Sequence, residues 1–332
     1  LGGKTVPPKD REGPVIQFMS MGAKGRKATE RMLNRVERAM EGREFSSPEE
    51  ANRFVKALVE ADQAGEGVPL EELTPEQQAQ ELIYDAWEVG EKRKRLELAR
   101  RALELWPDCA DAYVLLAEEG AKTVEEAKEL YERGVAAGER VLGPEAFKED
   151  AGHFWGITRT RPYMRARAGL ARCLWKLGSR NEAISHFREM LRLNPNDNQG
   201  VRYELINWLL IEGRDKEARE LLNRYSGDPT ALWRYPEALW LFRREGPTNR
   251  ANRALKKALE ANAHVPPYLL GKRKLPREMP DYYVVGDESE AVIYAASALE
   301  AWAKTPWARE WLATAYFWYC EGSALGPRRG CG

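Results

Sequence analysis

The residue types that do chemistry are few in this chain, and their spacing is wrong for it. Its histidines are His153, His186 and His264, and none has a second ligand at metal-binding spacing. Cys109, Cys173, Cys320 and Cys331 stand far apart with no CxxC pair. That predicts buried or incidental free thiols in a reducing compartment, not a zinc site or a disulfide framework. Glu118-Glu119 and Glu125-Glu126 are paired carboxylates, but in helical sequence such pairs belong to a solvated face. There is no serine elbow, phosphate-binding loop or dinucleotide fingerprint. With no nucleophile, base and orienting group brought together, the expectation is a chain that is not an enzyme and needs no cofactor or metal.

Arginine and tryptophan are the remaining candidates, and their chemistry is recognition. Arg makes bidentate bonds to carboxylate or phosphate, and both residues recur as interface hot spots. The elements that position them read as helices. Ser47-Pro48-Glu49-Glu50, Thr74-Pro75-Glu76-Gln77 and Thr123-Val124-Glu125-Glu126 each pair an N-cap hydroxyl with a carboxylate or amide three positions on. No alternating strand pattern is found. Of 332 residues, 43% are hydrophobic and 11 are Trp, enough for a sizeable core; 52 basic residues balance 52 acidic ones, which excludes a global attraction to nucleic acid or membrane.

Self-similarity organises the middle of the chain. Leu170, Ala171, Leu174, Gly178, Ala183 and Phe187, closed by Asn194-Pro195, resemble the tetratricopeptide repeat (TPR): large residues on one helix, a turn glycine, a small residue that admits the second helix. Leu205, Leu209, Gly213, Ala218 and Leu222 form a second unit, and Tyr235, Ala238, Phe242, Gly246, Ala251, Leu255 and Ala258 a third. The turn glycines lie 35 and then 33 residues apart, bracketing the roughly 34-residue TPR period. A looser unit runs from Tyr113 to Gly134. Two stretches, 112–119 and 191–200, also resemble the suppressor-of-tumorigenicity family, whose bacterial relatives carry such repeats. The chain departs from the animal members in showing no transmembrane segment.

The expected fold is all-α: a right-handed TPR-like α-solenoid of stacked antiparallel helix pairs with a flexible N-terminal arm. The divisions expected are a basic arm at 1–27, N-terminal helices forming a cap or the solenoid start at 28–74, degenerate units at 75–141 and an insertion at 142–162. Three TPR-like units then fill 163–265, a basic Pro/Tyr-rich connector 266–286, C-terminal helices 287–321 and a tail 322–332. Ala291, Ala295 and Ala298 suggest a second-position helix of another pair.

By the TPR resemblance, first-helix positions line a concave groove. Here they are Arg165, Arg172, Trp175, Lys176, Tyr203, Asn207, Trp233, Trp240 and Arg243. The set is cationic and aromatic and suits a protein or peptide, an acidic one included. It resembles the carboxylate-clamp repeats only at Asn207. The expected function is a cytoplasmic scaffold or adaptor binding a protein segment there. The alternative is an RNA- or ribosome-associated factor using the basic arm and Lys272, Arg273, Lys274 and Arg277. Homo-oligomerisation is a further expectation, through the last helix, where Trp307, Trp311 and Trp318 fall at i, i+4 and beyond. The chain opens on Leu1 with no basic-then-apolar leader pattern, and an upstream segment is compatible with that start.

Overall fold

The computed structural model describes residues 23–322, apart from 41, 64–72 and 281. Among them every regular element is helical. After α1 (Ala23–Met40) and α2 (Pro48–Gln63) come five helical pairs. These are α3 (Pro75–Glu88) with α4 (Lys92–Leu105), α5 (Ala110–Glu119) with α6 (Val124–Glu149), α7 (Arg161–Lys176) with α8 (Arg180–Leu193), α9 (Val201–Ile211) with α10 (Asp215–Arg224), and α11 (Ala231–Glu245) with α12 (Asn249–Ala261). The short α13 (Val265–Leu269), α14 (Glu288–Lys304) and α15 (Ala308–Glu321) complete the fold.

Local chemistry sets the boundaries. Thr74 accepts from the Gln77 amide while the Gln77 side chain accepts from the Thr74 amide, a complete capping box. Thr123 and Thr248 cap α6 and α12 by accepting from Glu126 N and Ala251 N. The turn glycines Gly178, Gly213 and Gly246 have φ of 87°, 68° and 70°, a region side-chain-bearing residues avoid and tight helix–helix turns need. Between 191 and 200, Asp197 caps α9 by accepting from the Val201 and Arg202 amides.

Each first helix packs on its own second helix, and α3, α5 and α7 follow one another along one face, as do α9 and α11. This is a TPR-like α-solenoid of stacked antiparallel pairs. The close crossing of α6 and α7 depends on Gly169, whose missing Cβ leaves room for the Tyr131 ring. One core runs from Val114 to Tyr316, with a smaller cluster under α3, α4 and α5.

Three expectations change, and the N-terminal helices are placed. The basic arm at 1–27 lies outside the described residues as far as residue 22, and from Ala23 the chain is helical. The insertion at 142–162 is partly helix: α6 continues to Glu149 through a kink at Gly143, and short 3-10 turns follow at Phe154–Gly156 and Thr158–Thr160. Burial of Phe154 against Phe147 and Tyr163 folds that stretch back onto the stack. Helix α14 does not extend the stack as the second helix of a pair; it lies across the first helices α9 and α11. The cap-or-start segment contributes α1, which lies on α3 and reaches the turn at Thr158–Thr160.

Candidate binding surface

The first-helix face is where a TPR groove would open, and in this chain α14 closes much of it. The Asn207 side-chain amide donates to Ser297 Oγ at 3.0 Å. Tyr235 meets Tyr294 with ring centroids 5.4 Å apart and Trp302 at 6.4 Å. The buried Glu290 carboxylate accepts from Ala231 N, Gly286 N and Asn262 Nδ2 at 2.9, 2.8 and 3.0 Å. It therefore pins the start of α14 to the start of α11. Arg180 bonds Glu300 at 3.1 Å. Tyr294 and Trp302 are fully buried, and each such side chain stabilises docking by roughly 1.5–3 kcal/mol. Displacing α14 would expose both.

This corrects part of the expected groove. Tyr203, Asn207 and Trp233 are buried, the last two at 0% and 1% exposure, and present no surface to a partner. Tyr203 donates to Asp228, and its ring meets Trp233 edge-on. Asn207 is covered by α14, whereas Tyr203 and Trp233 are buried against each other and Tyr225, between successive pairs.

The opposite end of the face is closed by α1. Arg165 donates to Asp111 at 2.6 and 2.7 Å and to Glu30 at 2.8 and 2.9 Å, with its guanidinium over Trp87. Arg165 is thus a structural clasp, not a groove cation. Burial alone would raise the Glu30 carboxyl, but Arg165 and Arg161 outweigh it and hold the group below the ordinary glutamate range. Glu81 behaves the same way: burial is opposed by Arg35, Arg38 and Arg31, and its carboxyl is lowered. These three arginines come from α1, so two buried carboxylates hold that helix in place.

Of the remaining expected residues, Arg172 and Lys176 are exposed, although Arg172 is paired with Glu204 at 2.6 Å. Trp175 is half-buried and stacks on Trp208 at 4.6 Å, with Arg180 over its ring. Trp240 donates to Asp215 O at 2.8 Å, and Arg243 donates to Leu210 O at 2.9 Å.

Trp240 and Arg243 open onto two hollows that meet at Asp215. The larger, about 870 Å³, is walled by Phe242, Trp311, Pro247 and Pro306 with Trp307 at its lip. The smaller, about 320 Å³, gathers Lys216, Arg219, Arg244 and Arg250 around Trp240.

The expected last-helix face divides. Trp311 turns inward, stacking on Phe242 at 4.4 Å and donating to Asn252, while Trp307 and Trp318 are 75% and 67% exposed. In the connector, Arg273 is tied to Glu288 and the Lys272 ammonium lies over Tyr316. Lys274 and Arg277 are exposed.

Reactive groups are muted. Burial pushes the Cys109 thiol up to about 12, far from a nucleophile. Burial, then Arg167, lowers His186 to about 4. Cys173 is buried and free, but Cys320 is disulfide-bonded, contrary to the expected free thiols. Among the described residues no cluster of His, Cys, Asp and Glu has the makings of a metal site, and no helix is long and apolar enough to cross a membrane.

The sequence profile of the family described as ST7 protein matches residues 70–235, half of the chain. The chain belongs to the ST7 family. Protein ST7 homolog of Caenorhabditis elegans is 31% identical over 258 residues, covering 67% of this chain and 48% of the relative. The human suppressor of tumorigenicity 7 protein-like is 30% identical over 243 residues, covering 67% and 42%. The chain thus spans about half the length of the curated ST7 relatives that it matches. The crystal structure of YrrB, described as a TPR protein with an unusual peptide-binding site, is similar at 22% identity with a TM-score of 0.39, covering 62% of this chain and 91% of that one. At that level the peptide-binding site remains a property of YrrB. The ST7 match includes α3 to α10 and ends within α11, so α14 and the two hollows lie largely beyond it.

Sequence reasoning missed two features of this ST7-family chain. Closure of the groove had a signal: α9 reads VRYELINWLLI, apolar almost all round, and such a helix is covered on every side. The cations of the smaller hollow had a weaker one. Lys216 and Arg219 share a helix face at i, i+3, but Arg244 and Arg250 join them only through the turn between α11 and α12.

Proposed function

We propose that this ST7-family chain is a non-catalytic scaffold that recognises a protein segment. The observation that carries the reading is that its stack of helical pairs already holds a helix on the first-helix face, the chain's own α14. A surface of this kind binds by packing and side-chain hydrogen bonds and needs no reactive group. The accessible remnant of the concave face is the stretch with Arg172, Trp175 and Lys176, which lies between the residues clasped by α1 and those covered by α14. Lys176, exposed and outside any ion pair among the described residues, favours an acidic partner.

Affinity capture from the native lysate, with and without nuclease, tests the class. The expected result is a discrete protein that survives nuclease and is lost on Arg172→Glu with Lys176→Glu. Capture that disappears with nuclease would overturn the scaffold reading in favour of an RNA-associated factor. Undiminished capture by the double variant would remove the partner from the concave remnant.

A further inference from the structure

We infer that the two hollows meeting at Asp215 form one docking site for an acidic protein segment that carries a bulky apolar side chain. The inference rests on the scaffold reading and names a second surface, distinct from the Arg172 stretch.

The larger hollow supplies the apolar half. Phe242, Trp311 and two prolines wall it. Trp307 stands at its lip, 75% exposed and with φ of 63°. A bulky residue in the left-handed region is strained, and here no burial of the ring offsets that strain. Such strain is characteristic of ligand clamps, where a side chain is held ready for a partner. An apolar anchor seated beneath Trp307 would cover that ring.

The smaller hollow supplies the charge. Lys216, Arg219 and Arg244 line it, are exposed, and have no ion pair among the described residues; Arg250 is paired with Glu245. Three unpaired cations beside one tryptophan call for carboxylates, which arginine meets with two parallel hydrogen bonds. Residues 323–332 contain Arg328 and Arg329 and no Asp or Glu, so that stretch of the chain does not complement this charge. A continuous phosphate backbone fits poorly, because Asp215, Glu245 and Glu310 line the same hollows. A peptide with spaced carboxylates avoids them.

The test is a selection of phage-displayed random dodecapeptides on the full chain. Fluorescein-labelled winners, and a labelled uridine decanucleotide, are then titrated by anisotropy. The expected winners combine Asp or Glu with a Trp, Phe or Leu anchor. Lys216→Glu with Arg219→Glu and Arg244→Glu should weaken them by about tenfold or more, and added salt should weaken the wild-type complex. Trp307→Gly should weaken binding while leaving the melting temperature unchanged or higher, because glycine relieves the strain. Winners that bind the triple variant as tightly as wild type would overturn this site and leave the scaffold reading standing. Tighter binding of the decanucleotide than of any peptide, lost in the triple variant, would overturn it in favour of RNA. Failure to select any peptide would overturn this site and leave the scaffold reading to the lysate capture.

Discussion

Asn207 donates to Ser297 Oγ across 3.0 Å, bridging residues 90 apart in sequence. In a groove-binding repeat, an asparagine at this first-helix position would face a peptide. Here its partner is a serine of α14, and the amide is wholly buried. The bond marks the boundary between groove and core: everything beneath α14 stabilises the fold, and only what lies outside it is available to another molecule.

Arg165 therefore belongs to stability. Arg165→Ala would leave Glu30 and Asp111, both nearly fully buried, without their shared cation. Breaking a buried pair in this way costs about 3–5 kcal/mol. Thermal denaturation should show a marked loss, and hydrogen exchange should rise across 23–40 as α1 detaches. Unchanged exchange there would mean that α1 is held without the clasp.

Docking of α1 should also be acid-sensitive. The folded carboxyls of Glu30 and Glu81 sit below their ordinary values because the opposing arginines outweigh burial. Their contribution is then complete above the unfolded glutamate pKa of about 4.3 and disappears as pH falls through the lower folded values. Hydrogen exchange in α1, corrected for intrinsic rate, should stay protected at pH 5 and lose protection below about pH 4. Protection that persists to pH 2 would contradict the assignment.

Glu290→Gln tests the anchor of α14. The carboxylate accepts from donors on both oxygens, so an amide would turn an NH2 toward a donor. Leaving that buried donor unsatisfied should cost about 1–3 kcal/mol. The readouts are the melting temperature and exchange across 288–304. No change in either would show that packing of Tyr294 and Trp302 suffices.

Gly169→Ala probes the crossing of α6 and α7. The new Cβ would lie 2.1 Å from Tyr131 Cε1 unless the ring moved, and overpacking of this kind costs about 1–3 kcal/mol. A lowered melting temperature is expected. A neutral result would mean that Tyr131 swings clear at little cost.

The sequence by itself determined the helical pairs and their repeat. Gly178, Gly213 and Gly246 stop helices whatever surrounds them, because their backbone conformation is local, and Thr74 and Thr123 start them through hydrogen bonds to amides a few residues away. The small residues Ala183, Ala218 and Ala251, with Phe187 and Leu255, marked the helix-packing faces, and all are buried. Only the tertiary structure decided what lies over those faces. Nothing local to Asn207 or Tyr235 says that a helix from residues 288–304 returns to cover them, because such residues look the same whether they meet a partner or their own chain. The clasp of Glu30 to Arg165 and the convergence of Lys216, Arg219 and Arg244 depend likewise on segments distant in sequence. The position of a charge along the chain determines its helix face; whether it meets a carboxylate or solvent is set by the elements that the fold brings beside it.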